Sequence, residues 1–169
     1  GFQRIHDLAW AAGDSQAKGF LIGATSGRTT LNGEGLQHQD GHSHILSSTI
    51  PNCLSYDPAY AYELAIIFKD GIQKMFVEQK DYYYYITVTN ENYIQPEQPK
   101  GIEKDVIKGM YKVKDCKNPN IRLIGSGAIL NESIKSQDIL SSYSINAEVW
   151  SATSFNLLRK DGMEVERYN

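Results

Sequence analysis

The chain has 169 residues, 41% hydrophobic and 22% charged, with 17 Lys and Arg against 20 Asp and Glu and a formal net charge of −3. Scattered basic residues in a slightly acidic chain argue against nucleic acid as the main partner. A mean hydropathy of −0.43, with no apolar run approaching the ~18 residues a membrane span needs, argues against insertion in a bilayer.

Phe2 to about Gln16 is expected to be a helix, because Phe2, Ile5, Leu8, Ala9 and Ala12 recur on one face. Gly19 to Ala24 is nearly all apolar and is expected to be a strand covered on both faces. A polar, glycine-rich loop follows, then a short helix from about His42 to Ser47. Ile50 to Ser55 is expected to be a second strand. Asp57-Pro58 reads as a helix start, with Asp as the cap and proline at the first helical position. That helix is expected to run to about Lys80, with Leu64, Ile67, Phe68, Ile72 and Met75 on one side. Tyr82 to Thr89, rich in aromatic and β-branched residues, is expected to be a strand, its four tyrosines partly wet.

Asn90 to Gly101, with two prolines, reads as a linker. Beyond it a short helix and an edge strand are expected within Ile102 to Val113, and a polar turn over Asp115 to Asn120. A strand over Ile121 to Gly125, a helix over Ala128 to Ser142, an alternating strand over Ile145 to Trp150 and a short helix over Thr153 to Lys160 complete the order. The repeat of strand, helix, strand predicts an α/β fold with mostly parallel sheets flanked by helices.

The candidate chemistry lies in Gly27 to His44, GRTTLNGEGLQHQDGHSH, which follows a strand as functional loops of α/β proteins do. Glu34 and His38 are four residues apart. The imidazole can pass protons and the carboxylate can orient it, although both residues also suit a solvated loop. Asp40-Gly41 is a turn signal, and His42 or Ser43 stands where it can cap the short helix, so Asp40 and His42 read as loop support. His38, Asp40, His42 and His44 alternate, yet DGHSH is not a zinc spacing, and no metal site is expected. Gly27, Gly33, Gly35 and Gly41 match neither a dinucleotide fingerprint nor a P-loop, so their role is backbone freedom. Arg28 suits either a carboxylate or phosphate contact or a plain surface place. Cys53 and Cys116 are far apart without CxxC spacing, which points to reduced thiols in the cytoplasm, and Cys53 reads as a small buried apolar residue. No signal peptide is visible.

The run LNGEGLQHQDGHSH, followed by TIPNCLSYDPAYAYE, resembles the homodimeric type of pyruvate dehydrogenase component of the pyruvate dehydrogenase complex, a thiamine-diphosphate-dependent family. The resemblance runs from GFQRIHDLAWAAGD to TSFNLLRKDGMEVERYN. It is specific over the first 95 or so residues and looser beyond. It implies an internal segment of a much larger enzyme, with residues 1–98 as the second half of a pyrimidine-binding domain. Residues 99–169 would then be a linker and the first part of a transketolase C-terminal-like domain. It also implies that the residues matching Glu34 and His38 lie in the active centre, His38 beside the cofactor, with Gly33, Gly35, Asp40 and His42 supporting the loop. Gln39 stands where such proteins often carry an acid, so no required charge is assigned there.

The activity implied is oxidative decarboxylation of pyruvate with acetylation of the lipoyl group of dihydrolipoyl acetyltransferase. The cofactors implied are thiamine diphosphate and Mg²⁺. Their main binding residues, a GDG…N motif and an activating carboxylate, are expected outside this segment, which is therefore expected to be inactive alone. The expected setting is a cytoplasmic homodimer. Two other readings stand beside this one: a stand-alone interaction or assembly module using the tyrosine-rich strand, and a related transketolase-type enzyme acting on another 2-oxo acid.

Overall fold

The computed structural model describes residues 2–24 and 42–169. A 3₁₀ turn, Phe2–Arg4, leads into α1 (His6–Asp14), β1 (Phe20–Ala24), α2 (Ser43–Ser47) and β2 (Cys53–Tyr56). Helix α3 (Ala61–Ile72) passes into a π-helical turn, Gln73–Val77, before β3 (Tyr83–Val88). Then come α4 (Glu103–Lys108), β4 (Met110–Lys114), β5 (Ile121–Gly125), α5 (Ile129–Ser142), β6 (Ala147–Ala152) and α6 (Phe155–Tyr168).

Two three-stranded sheets form, ordered β1-β3-β2 and β4-β6-β5. The first is parallel throughout, Phe20 facing Tyr84 and Cys53 facing Tyr83. The second pairs β5 with β6 in parallel, while β4 runs antiparallel along the other edge of β6. Parallel neighbours require crossovers, and the helices α3 and α5 supply those between β2 and β3 and between β5 and β6. The fold is therefore the expected α/β arrangement of mostly parallel sheets flanked by helices.

The tyrosines of β3 are not partly wet. Tyr83, Tyr84 and Tyr85 are buried, because β3 is the middle strand and both its faces are covered. The buried hydroxyl of Tyr83 donates to the Ala9 carbonyl at 2.8 Å, and that of Tyr84 donates to Asp70 at 3.2 Å. Strand β1, expected to be covered on both faces, lies instead at the edge of the described sheet and is only partly buried, with Ile22 45% exposed. Strand β6 shows no wet face, for the same reason as β3: it is central, and only Trp150 is half-buried.

One apolar core joins the two sheets. Leu54, Tyr56, Tyr84 and Ile86 of the first pack with Val106 of α4 and Tyr111 of the second sheet, and Leu157 of α6 lies against them. Tyr56 and Tyr84 stack with ring planes 10° apart. A second cluster seats Ala59 and Tyr60 on Leu130 and Val149. The carboxyl ends of β2 and β5 are thereby held side by side, which positions the groups described next.

Candidate functional site

Glu34, His38, Gly33, Gly35 and Asp40 lie outside the described residues, as does Arg28. The residues on either side of them are placed. The chain leaves β1 at Ala24, opposite Val88 at the carboxyl end of β3. It re-enters at α2, where His44 Nε2 lies 2.8 Å from the Thr87 hydroxyl, one residue from that same strand end. Both approaches to the His-rich segment thus stand at the carboxyl edge of the parallel sheet, where α/β proteins place their sites.

His42 occupies the residue before α2 but makes no side-chain capping bond and is exposed. Asp57 does not cap α3 either. That helix begins at Ala61, with Glu63 reaching back to accept the Tyr60 backbone N–H at 3.1 Å. Asp57 is buried and serves a different end. Its Oδ1 accepts the Thr87 hydroxyl at 2.5 Å and its Oδ2 accepts the Ser126 hydroxyl at 2.8 Å. Its backbone N–H donates to the Thr153 carbonyl at 2.8 Å, and its carbonyl accepts the Gly127 N–H at 3.1 Å. One residue, through its carboxylate and its backbone, therefore ties the ends of β2, β3, β5 and β6 together. Gly127 sits at φ +52°, and a Cβ there would come within 3.0 Å of the Asp57 carboxylate, so the position suits glycine on both counts.

The joint is extended by Ser154, whose hydroxyl donates to the Ser55 carbonyl at 2.6 Å and accepts the Leu157 N–H in the first turn of α6. Asn156 donates to the His44 carbonyl at 2.8 Å and to the Ser55 hydroxyl. Deeper in, Glu63 is fully buried. Its Oε2 accepts the Ala59 and Tyr60 amides at 2.5 and 3.1 Å, and its Oε1 accepts the Tyr111 and Ser151 hydroxyls at 2.6 and 2.7 Å. Tyr111 has spent its hydrogen on Glu63, so Tyr62, 2.6 Å away, donates to Tyr111. Burial pushes the Tyr62 hydroxyl up to about 12, and burial with the Glu63 charge pushes Tyr111 far above the ordinary phenol range.

Cys53 is buried, as expected, and burial raises its thiol to about 11. Among the described residues no group of three His, Cys, Asp or Glu side chains is placed to hold a metal ion. None of Thr87, Ser126 or Gly127 was singled out by sequence reasoning. The available signal was positional: each stands at or just past the carboxyl end of a strand.

A family model described as the pyruvate dehydrogenase E1 component middle domain matches residues 1–96. The chain belongs to the pyruvate dehydrogenase E1 family. A second model, of the transketolase-like C-terminal domain, matches residues 109–168. Across its whole length the chain is 61% identical to the pyruvate dehydrogenase E1 component of Pseudomonas aeruginosa and 57% identical to that of Escherichia coli K12. It spans 20% of the length of each of these E1 relatives. Among solved structures, transketolase from Campylobacter jejuni superposes on 94% of the chain with a TM-score of 0.75 at 21% identity, covering 24% of that enzyme, a likeness of fold.

Proposed function

We propose that this segment forms part of the active centre of a thiamine-diphosphate-dependent pyruvate dehydrogenase, which decarboxylates pyruvate oxidatively and acetylates the lipoyl group of dihydrolipoyl acetyltransferase. The observation that carries this reading is identity of 61% and 57%, over the full chain, to proteins named as pyruvate dehydrogenase E1 components. The geometry agrees with it, because the GEGLQHQDGH run is bracketed by Ala24 and His44, both at the carboxyl edge of a parallel sheet. In this reading residues 1–98 are the second half of the pyrimidine-binding domain and residues 99–169 open the C-terminal domain. His38 and Glu34 handle protons beside the bound cofactor, with Gly33, Gly35, Asp40 and His42 shaping their loop.

The described side chains do not fit the diphosphate and Mg²⁺ of the cofactor. Asp57, the buried carboxylate nearest the strand ends, already accepts from Thr87 and Ser126, and the sequence contains no GDG motif. The charged end of the cofactor is therefore assigned to residues beyond this segment, and the segment supplies a wall and proton-handling groups. The working assembly is a cytoplasmic homodimer that meets the lipoyl domain at this site.

The full-length protein tests the reading. With thiamine diphosphate and Mg²⁺ it is expected to reduce an artificial acceptor in the presence of pyruvate, and to acetylate lipoyl domain. His38→Ala is expected to lose most of both activities. Full activity of that variant in both assays removes His38 from the mechanism, and absence of pyruvate-dependent turnover in the unmodified protein overturns the assignment. Calorimetric titration of the 169-residue segment alone should show no micromolar binding of thiamine diphosphate with Mg²⁺.

A further inference from the structure

The imidazole of His44 is half-buried and directed at a chain of groups that leaves it little choice of protonation pattern. Thr87 is fully buried and has one hydroxyl hydrogen. Two acceptors are within its reach, Asp57 Oδ1 at 2.5 Å and the Tyr56 carbonyl at 3.4 Å. The short bond to a carboxylate is the stronger by far. With its hydrogen spent there, the Thr87 oxygen can only accept from His44 Nε2, 2.8 Å away. The hydrogen of the ring must then sit on Nε2.

Asp57 cannot swing away to release this arrangement. Its second oxygen is held by Ser126, its backbone N–H by Thr153, and its carbonyl by Gly127. The ring also packs beside Tyr85, with centroids 5.3 Å apart, and the His44 backbone is held where its carbonyl accepts from Asn156. A carboxylate that orients an imidazole and selects its tautomer is a general way to ready histidine for proton transfer. Here the carboxylate acts through a threonine, and the chain reaches from α2 to the residues just past β5.

We propose that Thr87 and Asp57 are positioning residues that hold His44 in the Nε2–H tautomer as an acid–base group at the carboxyl edge of the sheet. This rests on the reading of the segment as part of an E1 active centre. Ser126 anchors the far end, so the setting of His44 depends on residues of both sheets' joint and not on α2 alone.

The test uses the full-length protein and four variants: Thr87→Val, Thr87→Ser, His44→Ala, and His44→Ala with Thr87→Val. Thr87→Val keeps the shape but removes the hydroxyl, and should lower kcat for pyruvate-dependent acceptor reduction about 10- to 100-fold, with KM within about threefold, as loss of a group orienting a histidine does. Thr87→Ser restores the hydroxyl and should restore kcat to within about threefold. The double variant should be no slower than His44→Ala, because the two changes break one chain. Wild-type kcat in Thr87→Val, equal loss in Thr87→Ser, or additive losses in the double variant would each overturn the proposal.

A readout independent of turnover separates this from failure of the functional reading. In protein labelled with ¹⁵N histidine, the His44 resonance, identified by its disappearance in His44→Ala, should carry its proton on Nε2 and become a tautomer mixture in Thr87→Val. A wild-type protein with the Nδ1–H form overturns the relay itself, whereas a correct tautomer in a protein without pyruvate turnover overturns the E1 reading and with it the catalytic use of the relay.

Discussion

Replacing Glu63 by Gln changes one atom in a fully buried side chain and should loosen the joint between the two sheets. The carboxylate accepts four hydrogen bonds, two from backbone amides and two from the hydroxyls of Tyr111 and Ser151. A glutamine can keep the amides satisfied by turning its oxygen toward them. Its NH₂ group then faces two hydroxyls that were donors, and both must reverse. Tyr111 would have to donate to Tyr62, which now donates to it at 2.6 Å. Bonds to a charged partner contribute roughly 1.5–3 kcal/mol each and neutral ones about 1. Weakening four of them and reversing two is worth about 2–3 kcal/mol. Since about 1.4 kcal/mol is tenfold in an equilibrium, local opening should rise about 30- to 150-fold. Hydrogen exchange of the full-length protein reads this directly in peptides covering β4 and β6, which carry Tyr111 and Ser151. Protection there within threefold of the unsubstituted protein would refute the assignment of Glu63 as the tie between the sheets.

Gly127→Ala places a Cβ 3.0 Å from the Asp57 carboxylate at a positive φ, and should cost about 1–2 kcal/mol, seen as faster exchange and easier proteolysis around residues 125–128. Glu148 is held down to about 2 by the Arg122 guanidinium, 2.5 Å away, and by Lys112. A carboxyl lowered on folding contributes stability above its ordinary value of 4.5 that is lost as pH falls from there toward 2, so Glu148→Gln should flatten the acid dependence of stability in that window by about one proton. An unchanged acid slope would show that the pair is not formed. Cys53, buried with its thiol raised to about 11, should resist alkylation at neutral pH while the less buried Cys116 is modified, a difference that peptide mass spectrometry measures.

The order of elements was legible because each rests on local chemistry. The apolar periodicity of α1, the β-branched and aromatic run of β3 and the proline-broken linker before α4 all fall within a few residues of where composition places them. What failed was burial. The tyrosine run looked half-wet because phenol groups suit an interface with water, but wetness is set by which strands flank β3, and that is a property of the sheet order. The start of α3 failed for a related reason. Asp57-Pro58 has the composition of a helix entrance, yet the capping acid is Glu63, and Asp57 is claimed by hydroxyls 30 and 69 residues away. No local pattern reports partners at that separation.

That pair of acids shows why the site was only half legible. Glu34 and His38 stand out in sequence because a histidine, a carboxylate and several glycines crowd into one polar stretch. Hydrogen-bonded groups drawn from distant segments do not crowd in this way. Thr87, Asp57 and Ser126 are ordinary residues in three distant segments, brought together because the carboxyl ends of β2, β3 and β5 converge. Their shared chemistry is directional: each hydroxyl has one hydrogen to give, and a carboxylate at the centre fixes where both hydrogens go. The sequence therefore advertises reactive residue types that crowd into one stretch. The groups that set the geometry become visible only when the hydrogen bonds are followed from Ser126 through Asp57 and Thr87 to the ring of His44.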